Sequence, residues 1–445
     1  MFQHIEMNRS IVAGFVYLLL AGCSSVDLAD QSITEGGDPV TQWTLIADFY
    51  GRSNANWRTL AIMHRAMHDA LNAANPVYAR WDPPQPGEPA PEGALPEAAM
   101  AAAAYEVLND LEPERLDETQ RAFKSAMARI PDGPGKQAGI RLGTAIGDEA
   151  VQRRVHDGYE NSRLFAGSDQ PGRWRPVPPT FSTSSTNDTR PFLFATAAEV
   201  LDVAPPPPRL GSAVFIQELE ESRHLGAANG SDRTPSQTFD ALFWANQSSQ
   251  RGFVYLAVKL LAAHPRPGGV YEHARIMSLL TAALADSAIL TWEEKEKFSF
   301  WRPVTAIAAA HPELADAWTP LINTPPFPEY PSGHAADCYT GAGILETAFP
   351  DLNGPVLYIA STYIPSLRPD AYANQTPGNF GMGQHAQIVG DIGPSLTFPS
   401  LAAAAENCAL SRIWAGAHFH AADNEANRLA ALIDQRAAVS VPVLK

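Results

Sequence analysis

The chain has 445 residues, of which 45 % are hydrophobic and 18 % are charged, proportions that are ordinary for a globular protein. This length allows two or three domains, or one large domain. The formal net charge of -16 at pH 7 indicates an acidic surface, which repels the phosphates of nucleic acids and of anionic lipids. We therefore exclude nucleic acid as a partner, and the membrane surface as a partner held by charge.

The N-terminal segment has the pattern of an export signal. Arg9 precedes the apolar run 11–20, which is too short to span a bilayer, because spanning takes roughly 20 residues. The tetrapeptide that ends at Cys23 resembles the lipobox of bacterial lipoproteins, in which the cysteine is acylated. We expect residues 1–23 to be a lipoprotein signal peptide that anchors the exported protein to a bacterial membrane, facing the periplasm or the cell exterior. A cleaved signal with an incidental cysteine, or a buried first helix, is the alternative.

Farther along the chain, apolar residues mostly recur at helical spacing, and the alternation typical of strands is scarce. This periodicity predicts an all-α protein, a multi-helix bundle made of two packed bundles. In chain order, the predicted helices lie within residues 56–75, 92–111, 112–130, 135–158, 212–226, 234–247, 251–264, 269–303, 333–349 and 396–419.

Two proline-rich segments, 81–96 and 174–208, interrupt these helices. Proline has no amide donor and breaks helices, so both segments are predicted to be loops. We expect residues 24–40 to be a polar tether, 41–210 an N-terminal helical half and 211–445 a C-terminal helical half.

Two cysteines remain after Cys23, namely Cys338 and Cys408. A compartment outside the cytoplasm permits a disulfide between them. Two buried free thiols are the alternative.

The first of three segments that carry chemistry is KEKFSFWRP. Lys295 and Arg302 are seven residues apart, which predicts that both cations project from nearly one face of a helix. Pro303 is expected to end that helix near Arg302. Such a pair of cations usually lies on a solvent-exposed helix face. The three aromatic residues between these two cations make full exposure to solvent less favourable.

The second segment is Pro-Ser-Gly-His at 331–334, and it has the features of a helix start. The free amides of a first helical turn attract anions, Gly333 allows close approach to the backbone, and Ser332 adds a hydroxyl. His334 can give or take a proton near neutral pH. The alternative is an ordinary capped helix with a surface histidine.

The third segment contains Arg412 and His418, which are six residues apart in the sequence. On an unbroken helix they would lie about 120° apart, so we expect Gly416 to bend the chain and let both converge. Convergence of the three segments would gather three cations, whose burial without partners costs several kcal/mol each. We therefore predict that the helix start near Ser332 holds a tetrahedral oxyanion.

Together the segments match the signature Lys-x6-Arg-Pro, Pro-Ser-Gly-His, Ser-Arg-x5-His at all ten specified positions. Over residues 275–425 the chain resembles the superfamily of vanadium-dependent haloperoxidases and type 2 phosphatidic acid phosphatases (PAP2). The stretches FWRPVTAI and TPPFPEYPSGH are more similar to the haloperoxidase branch. The resemblance implies that residues 211–445 are the catalytic half, with vanadate as cofactor and hydrogen peroxide and halide as substrates.

The resemblance also implies a role for each motif residue. Lys295, Arg302 and Arg412 would bind the equatorial oxygens of vanadate or phosphate, and Ser332 and Gly333 would donate hydrogen bonds to them. The catalytic residues would be the two histidines: His418 as the vanadium ligand or the nucleophile toward phosphorus, and His334 as the general acid and base.

Family members often pair the acid–base histidine with a carboxylate, and Asp240, Asp286 and Asp423 are all candidates for that partner of His334. Phe327 and Trp292 match the positions of the halide pocket in the family, although ordinary core packing is an equal alternative for both. His420 is predicted to be structural.

Three functions are compatible with these motifs. The first is a vanadate-dependent haloperoxidase. The second is an exported acid phosphatase that acts on phosphate monoesters through a phosphohistidine at His418, without vanadate. The third is a non-catalytic lipoprotein that binds oxyanions. A zinc hydrolase is disfavoured because the sequence has neither an HExxH motif nor a Cys/His cluster.

Overall fold

A computed structural model describes residues 37–49, 56–161, 163–177, 188–245, 248–359, 386–388 and 394–444. The predicted signal peptide, Cys23 and most of the predicted tether lie outside the described residues. The described part of the chain is all-α, as predicted. Its fourteen helices, α1 to α14, are Pro39–Phe49, Asn56–Ala74, Pro96–Leu111, Leu116–Ala128, Pro134–Gln152, Ala198–Leu201, Ala213–Leu225, Pro235–Ala245, Ser249–Ala263, Val270–Phe298, Pro303–Ala310, Gly333–Ala348, Leu401–Trp414 and His420–Ser440.

A small antiparallel sheet precedes α13. Its strands are β1 (Val356–Ile359), β2 (Ala386–Ile388) and β3 (Pro394–Phe398), in the order β1-β3-β2. Val356 pairs with Phe398, and Ala386 pairs with Leu396. The helix predicted to start at residue 396 therefore starts later, at Leu401, where Ser400 accepts a capping hydrogen bond from the Ala403 amide at 3.1 Å.

Helix α10 is the central element of the fold. It has 29 residues, and every residue from Ile276 to Thr291 is buried, as expected for a helix that is apolar on all sides. Its composition and length would also suffice to cross a membrane, but 94 % of its most apolar stretch is buried inside the protein. Core packing accounts for that composition.

The two predicted halves share one core. Helix α10 packs against α2, α12 and α14, and one cluster of buried residues runs through both halves. The division near residue 210 stays a prediction. The second proline-rich segment is irregular where it is described, apart from the single helical turn α6.

A disulfide joins two helices that carry site motifs. Cys338 on α12 and Cys408 on α13 are bonded, with their Cα atoms 6.5 Å apart. Both side chains are fully buried. The bond therefore holds the helix that starts with the Pro-Ser-Gly-His motif against the helix that carries Arg412.

We predict that replacing both cysteines by alanine lowers the free energy of unfolding by about 2–4 kcal/mol, because the unfolded chain regains the entropy of a long loop. The closed loop spans 70 positions. Denaturant unfolding of the oxidised wild type and of the double variant measures the difference. Reduced wild-type protein is the control, because it keeps both sulfur atoms and lacks only the bond. An unchanged unfolding midpoint in the double variant would contradict the prediction.

Candidate functional site

Lys295 lies in the last turn of α10, with its side chain buried. Its ammonium donates to the carbonyl oxygens of Pro328 and Glu329, each at 3.0 Å, and to that of Pro331. A lysine ammonium has three hydrogens, so these carbonyls use all of its donors. Burial and the neighbouring charge of Arg302 hold the pKa of Lys295 well below its usual value.

Arg302 does not lie on the same helix as Lys295, and the predicted shared helical face is wrong. Helix α10 ends at Phe298 because Ser299 adopts a left-handed conformation, with φ 44° and ψ 47°. Pro303 starts the next helix, α11, instead of ending α10. The chain turns between the two helices and returns Arg302 to the side of Lys295.

The guanidinium of Arg302 is fully buried and holds three groups together. Its Nε donates to the carbonyl oxygen of Phe327 at 3.0 Å, and its Nη1 donates to that of Ala417 at 2.9 Å. The same Nη1 lies 3.0 Å from Nε2 of His418. Burial lowers the pKa of Arg302 to about 9.

The Pro-Ser-Gly-His motif forms a helix start, as predicted. Ser332 is the N-cap residue of α12, but its side chain makes no capping hydrogen bond. Its hydroxyl is buried beside Asp423 without a hydrogen bond at normal distance to any described residue. A Cβ at Gly333 would contact only a methyl group of Thr291, at 3.6 Å. The first turn of α12 is therefore open on the side of Gly333.

The prediction that Gly416 bends the third segment is confirmed. Helix α13 ends at Trp414, and Gly416 has a φ of 71°. The amides of Ala417 and His418 then both donate to the carbonyl oxygen of Arg412, at 3.1 and 3.3 Å. This reversal brings His418 back beside the end of α13, on which Arg412 is buried.

Glu329 is the residue that sequence reasoning missed. Its side chain is fully buried, and its Oε1 lies 3.0 Å from Nδ1 of His418 and 3.0 Å from the amide nitrogen of Phe419. Burial raises the pKa of Glu329 to about 7, although Arg302 and Lys295 oppose the rise. Its signal in the sequence was weak: one acidic residue in the apolar and proline-rich stretch FPEYP.

Of the three carboxylates proposed as partners of His334, the structure brings Asp423 to this site. Asp423 is buried beside Ser332 and Arg412, and burial holds its pKa well above the usual range. Asp286 instead accepts from the amides of residues 192 and 193, at 2.5 and 2.8 Å. The Asp240 carboxylate accepts from the side-chain amide of Asn407 at 2.8 Å.

The two other histidines of interest lie in different surroundings. His334 occupies the first turn of α12 and is half-buried. Burial lowers the pKa of His418 well below its usual value, and neighbouring positive charges, that of Arg302 first, lower it further. His420 lies 3.1 Å from the Glu221 carboxylate on α7, which agrees with a structural role.

Trp292 and Phe327 lie together against the cations. The ring centroid of Phe327 is 5.4 Å from Nζ of Lys295 and 5.0 Å from Cζ of Arg302. The Trp292 ring meets Phe327 edge-to-face at 4.7 Å. Their role toward halide stays a prediction.

Several buried donors at this site have no hydrogen-bond partner among the described residues. They are Nη2 of Arg302, Nε and Nη1 of Arg412, and the hydroxyl of Ser332. The described residues contain no cluster of three or more His, Cys, Asp or Glu side chains that could hold a metal ion. Donors of this kind fit an oxyanion such as vanadate or phosphate. The fold and the site thus define an all-helical protein with a buried cationic pocket at its helix ends.

Comparison with known proteins finds vanadium haloperoxidases that are similar to this chain. Residues 275–442 match the family described as the VCPO second helical-bundle domain. The vanadium chloroperoxidase of Curvularia inaequalis is 25 % identical to this chain in an alignment that covers 62 % of the chain. The chain spans 58 % of the length of that relative.

Solved structures share the fold. A bacterial vanadium-dependent iodoperoxidase matches with a TM-score of 0.66 and 21 % identity, over 93 % of this chain and 96 % of that chain. The apo form of a bacterial vanadium-dependent chloroperoxidase matches with a TM-score of 0.63 and 16 % identity, over 87 % and 95 % of the two chains. These solved structures show that the chain has the fold of the vanadium haloperoxidases, and the domain match and the curated relative make it similar to that family in sequence.

We predict that Arg412→Met lowers the Tm of the protein in the absence of any oxyanion. The substitution leaves the buried carboxyl of Asp423 without the charge beside it, and loss of one partner of a buried pair destabilises proteins by about 3–5 kcal/mol. The same substitution removes two donors, so orthovanadate should no longer raise the Tm. Thermal unfolding with and without orthovanadate measures both effects.

Arg428→Met is the matched control, because Arg428 donates to Glu425 at 2.9 and 2.8 Å on α14 and is not one of the unpartnered donors. This control should keep the response to orthovanadate. A lower Tm together with an intact orthovanadate response in Arg412→Met would show that the side chain is only structural.

Proposed function

We propose that the protein is a vanadate-dependent haloperoxidase, an enzyme that oxidises halide with hydrogen peroxide. The observation that carries the proposal is the set of buried, unpartnered donors on Arg302, Arg412 and Ser332, together with the contact of Arg302 with Nε2 of His418 at 3.0 Å. Similarity to the vanadium chloroperoxidase domain and to the curated vanadium chloroperoxidase supports the same reaction.

The residues that would hold vanadate are those that place a hydrogen-bond donor, a positive charge or a nitrogen lone pair at the pocket. Arg302, Arg412 and the hydroxyl of Ser332 would bind its oxygens, together with the amides that start α12 at Gly333. His418 would be its ligand through Nε2. When bound, vanadate supplies the Lewis acid that activates hydrogen peroxide toward halide.

The protein groups would then supply positive charge, the exclusion of water and proton transfer. The cations stabilise the negative charge that develops on oxygen during the reaction, an effect that is strong in a buried site. His334, half-buried at the start of α12, would move protons between peroxide and solvent. Phe327, packed on Lys295 and Arg302, would exclude water from the side on which halide arrives.

Hydrolysis of phosphate monoesters is the second candidate, because the same donors suit phosphate, which is nearly isosteric with vanadate. In that reaction Nε2 of His418 would attack phosphorus and the alcohol would leave with a proton from His334. Water, deprotonated by His334, would then release phosphate from His418.

The proposed location is outside the cytoplasm, with a lipid anchor at Cys23. The disulfide between Cys338 and Cys408 supports export, because such bonds persist in oxidising compartments.

We expect purified protein freed of oxyanions to brominate a phenolic dye with hydrogen peroxide only after orthovanadate is added, because the pocket residues alone cannot activate peroxide. His418→Ala should abolish this activity. His420→Ala is the matched control, since this neighbouring histidine pairs with Glu221 and should keep most of the activity.

Phosphate-monoester hydrolysis is measured in parallel without vanadate. Hydrolysis that orthovanadate inhibits, with no bromination under any condition, would replace the haloperoxidase by the phosphatase. Orthovanadate binding with neither activity would reduce the protein to an oxyanion-binding lipoprotein.

A further inference from the structure

The carboxylate of Glu329 lies directly behind the imidazole of His418. One oxygen, Oε1, is 3.0 Å from Nδ1 of His418 and accepts the amide hydrogen of Phe419 at 3.0 Å. A single buried oxygen therefore fixes both the side chain of residue 418 and the backbone that follows it. Helix α14 begins at the next residue, His420.

The contacts on the two sides of His418 determine which of its nitrogens carries the hydrogen. A neutral imidazole has one donor nitrogen and one acceptor nitrogen. Nη1 of Arg302 can only donate and lies 3.0 Å from Nε2, so the lone pair lies on Nε2 and the hydrogen on Nδ1. Oε1 of Glu329, 3.0 Å from Nδ1, accepts that hydrogen.

The backbone around Glu329 reinforces this placement. The carbonyl oxygen of Glu329 itself accepts from Lys295 at 3.0 Å, and its amide donates to the carbonyl oxygen of Phe300 at 2.9 Å. The carboxylate, the carbonyl oxygen and the amide of Glu329 thus all form hydrogen bonds with residues in or beside the cationic pocket. These backbone hydrogen bonds fix the position from which the side chain of Glu329 extends toward His418.

We propose that Glu329 is a positioning residue, which holds His418 in the one tautomer that presents the lone pair of Nε2 to the oxyanion. A carboxylate behind a ligating histidine also makes its far nitrogen more basic. The inference rests on the proposed function only in taking the pocket as an oxyanion site, and it holds equally for vanadate and for phosphate.

Two substitutions separate the hydrogen bond from the negative charge. Glu329→Gln keeps a carbonyl oxygen that can accept from both Nδ1 of His418 and the amide of Phe419, and it removes the charge. Glu329→Ala removes both. Affinity for orthovanadate, measured by equilibrium dialysis, is a readout that does not depend on turnover.

The positioning role predicts a loss of about 10–100-fold in orthovanadate affinity for Glu329→Ala. Glu329→Gln should stay within a few-fold of wild type. Nitrogen NMR of histidine-labelled protein without oxyanion should find hydrogen on Nδ1 of His418 in wild type and in Glu329→Gln, and a mixture of tautomers in Glu329→Ala.

Glu221→Ala is the matched control, because Glu221 lies 3.1 Å from His420 in a second Glu–His pair near the start of α14. It should leave orthovanadate affinity and the His418 signals unchanged. An equal loss of affinity in Glu329→Gln and Glu329→Ala would overturn the positioning role in favour of charge alone. Wild-type affinity in a folded Glu329→Ala would also overturn it.

The NMR measurement keeps the proposal falsifiable if Glu329→Ala does not fold, since hydrogen on Nε2 in wild type alone would end it. Failure of the proposed function looks different. Wild-type protein would then bind orthovanadate without brominating, while the Glu329 series still lowers affinity as predicted.

Discussion

The burial of Lys295, Arg302 and Arg412 at one place sets the conditions that the surrounding structure must satisfy. Moving a charged group out of water costs several kcal/mol unless polar groups replace the lost hydration. Backbone carbonyls supply most of that replacement for Lys295 and part of it for Arg302. Arg412 receives less of this replacement for its hydration, because two of its nitrogens have no hydrogen-bond partner among the described residues. The proposed oxyanion would supply the hydrogen-bond partners that the backbone does not provide.

The carbonyls that solvate the cations come mainly from one short segment, residues 327–331. This segment is irregular, so its carbonyl groups are not used by a helix and can point toward Lys295 and Arg302. It ends where α12 begins, and the disulfide from Cys338 to Cys408 ties α12 to α13. The three motifs, which are far apart in sequence, are therefore held by one loop and by the ends of packed helices.

The sequence was sufficient for the fold class, because helical periodicity is repeated over many segments and each segment carries the same information. It was also sufficient for the break at Gly416, since glycine is the residue that adopts a positive φ without strain. The periodicity could not predict the end of α10. Ser299 adopts a left-handed conformation that few serines adopt, so the sequence favoured a helix that continued to Arg302.

Glu329 could not be predicted because its role depends on a contact across 89 positions with His418. No spacing rule connects a single glutamate to a distant histidine. For the same reason, the sequence could not decide whether the two cysteines form a disulfide. Only the packing of α12 on α13 brings them within bonding distance. Motif spacing thus located the chemical groups, whereas tertiary contacts determined their partners.

Lys295 has a consequence for how the pocket is filled. Its ammonium already gives all three hydrogens to carbonyl oxygens of the loop before α12. A vanadate or phosphate oxygen can receive a hydrogen from this lysine only if one of those carbonyls gives it up. Loading at this position is then an exchange of acceptors, and the released carbonyl must find water or another donor. The carbon NMR signals of those carbonyl groups would therefore report on occupancy.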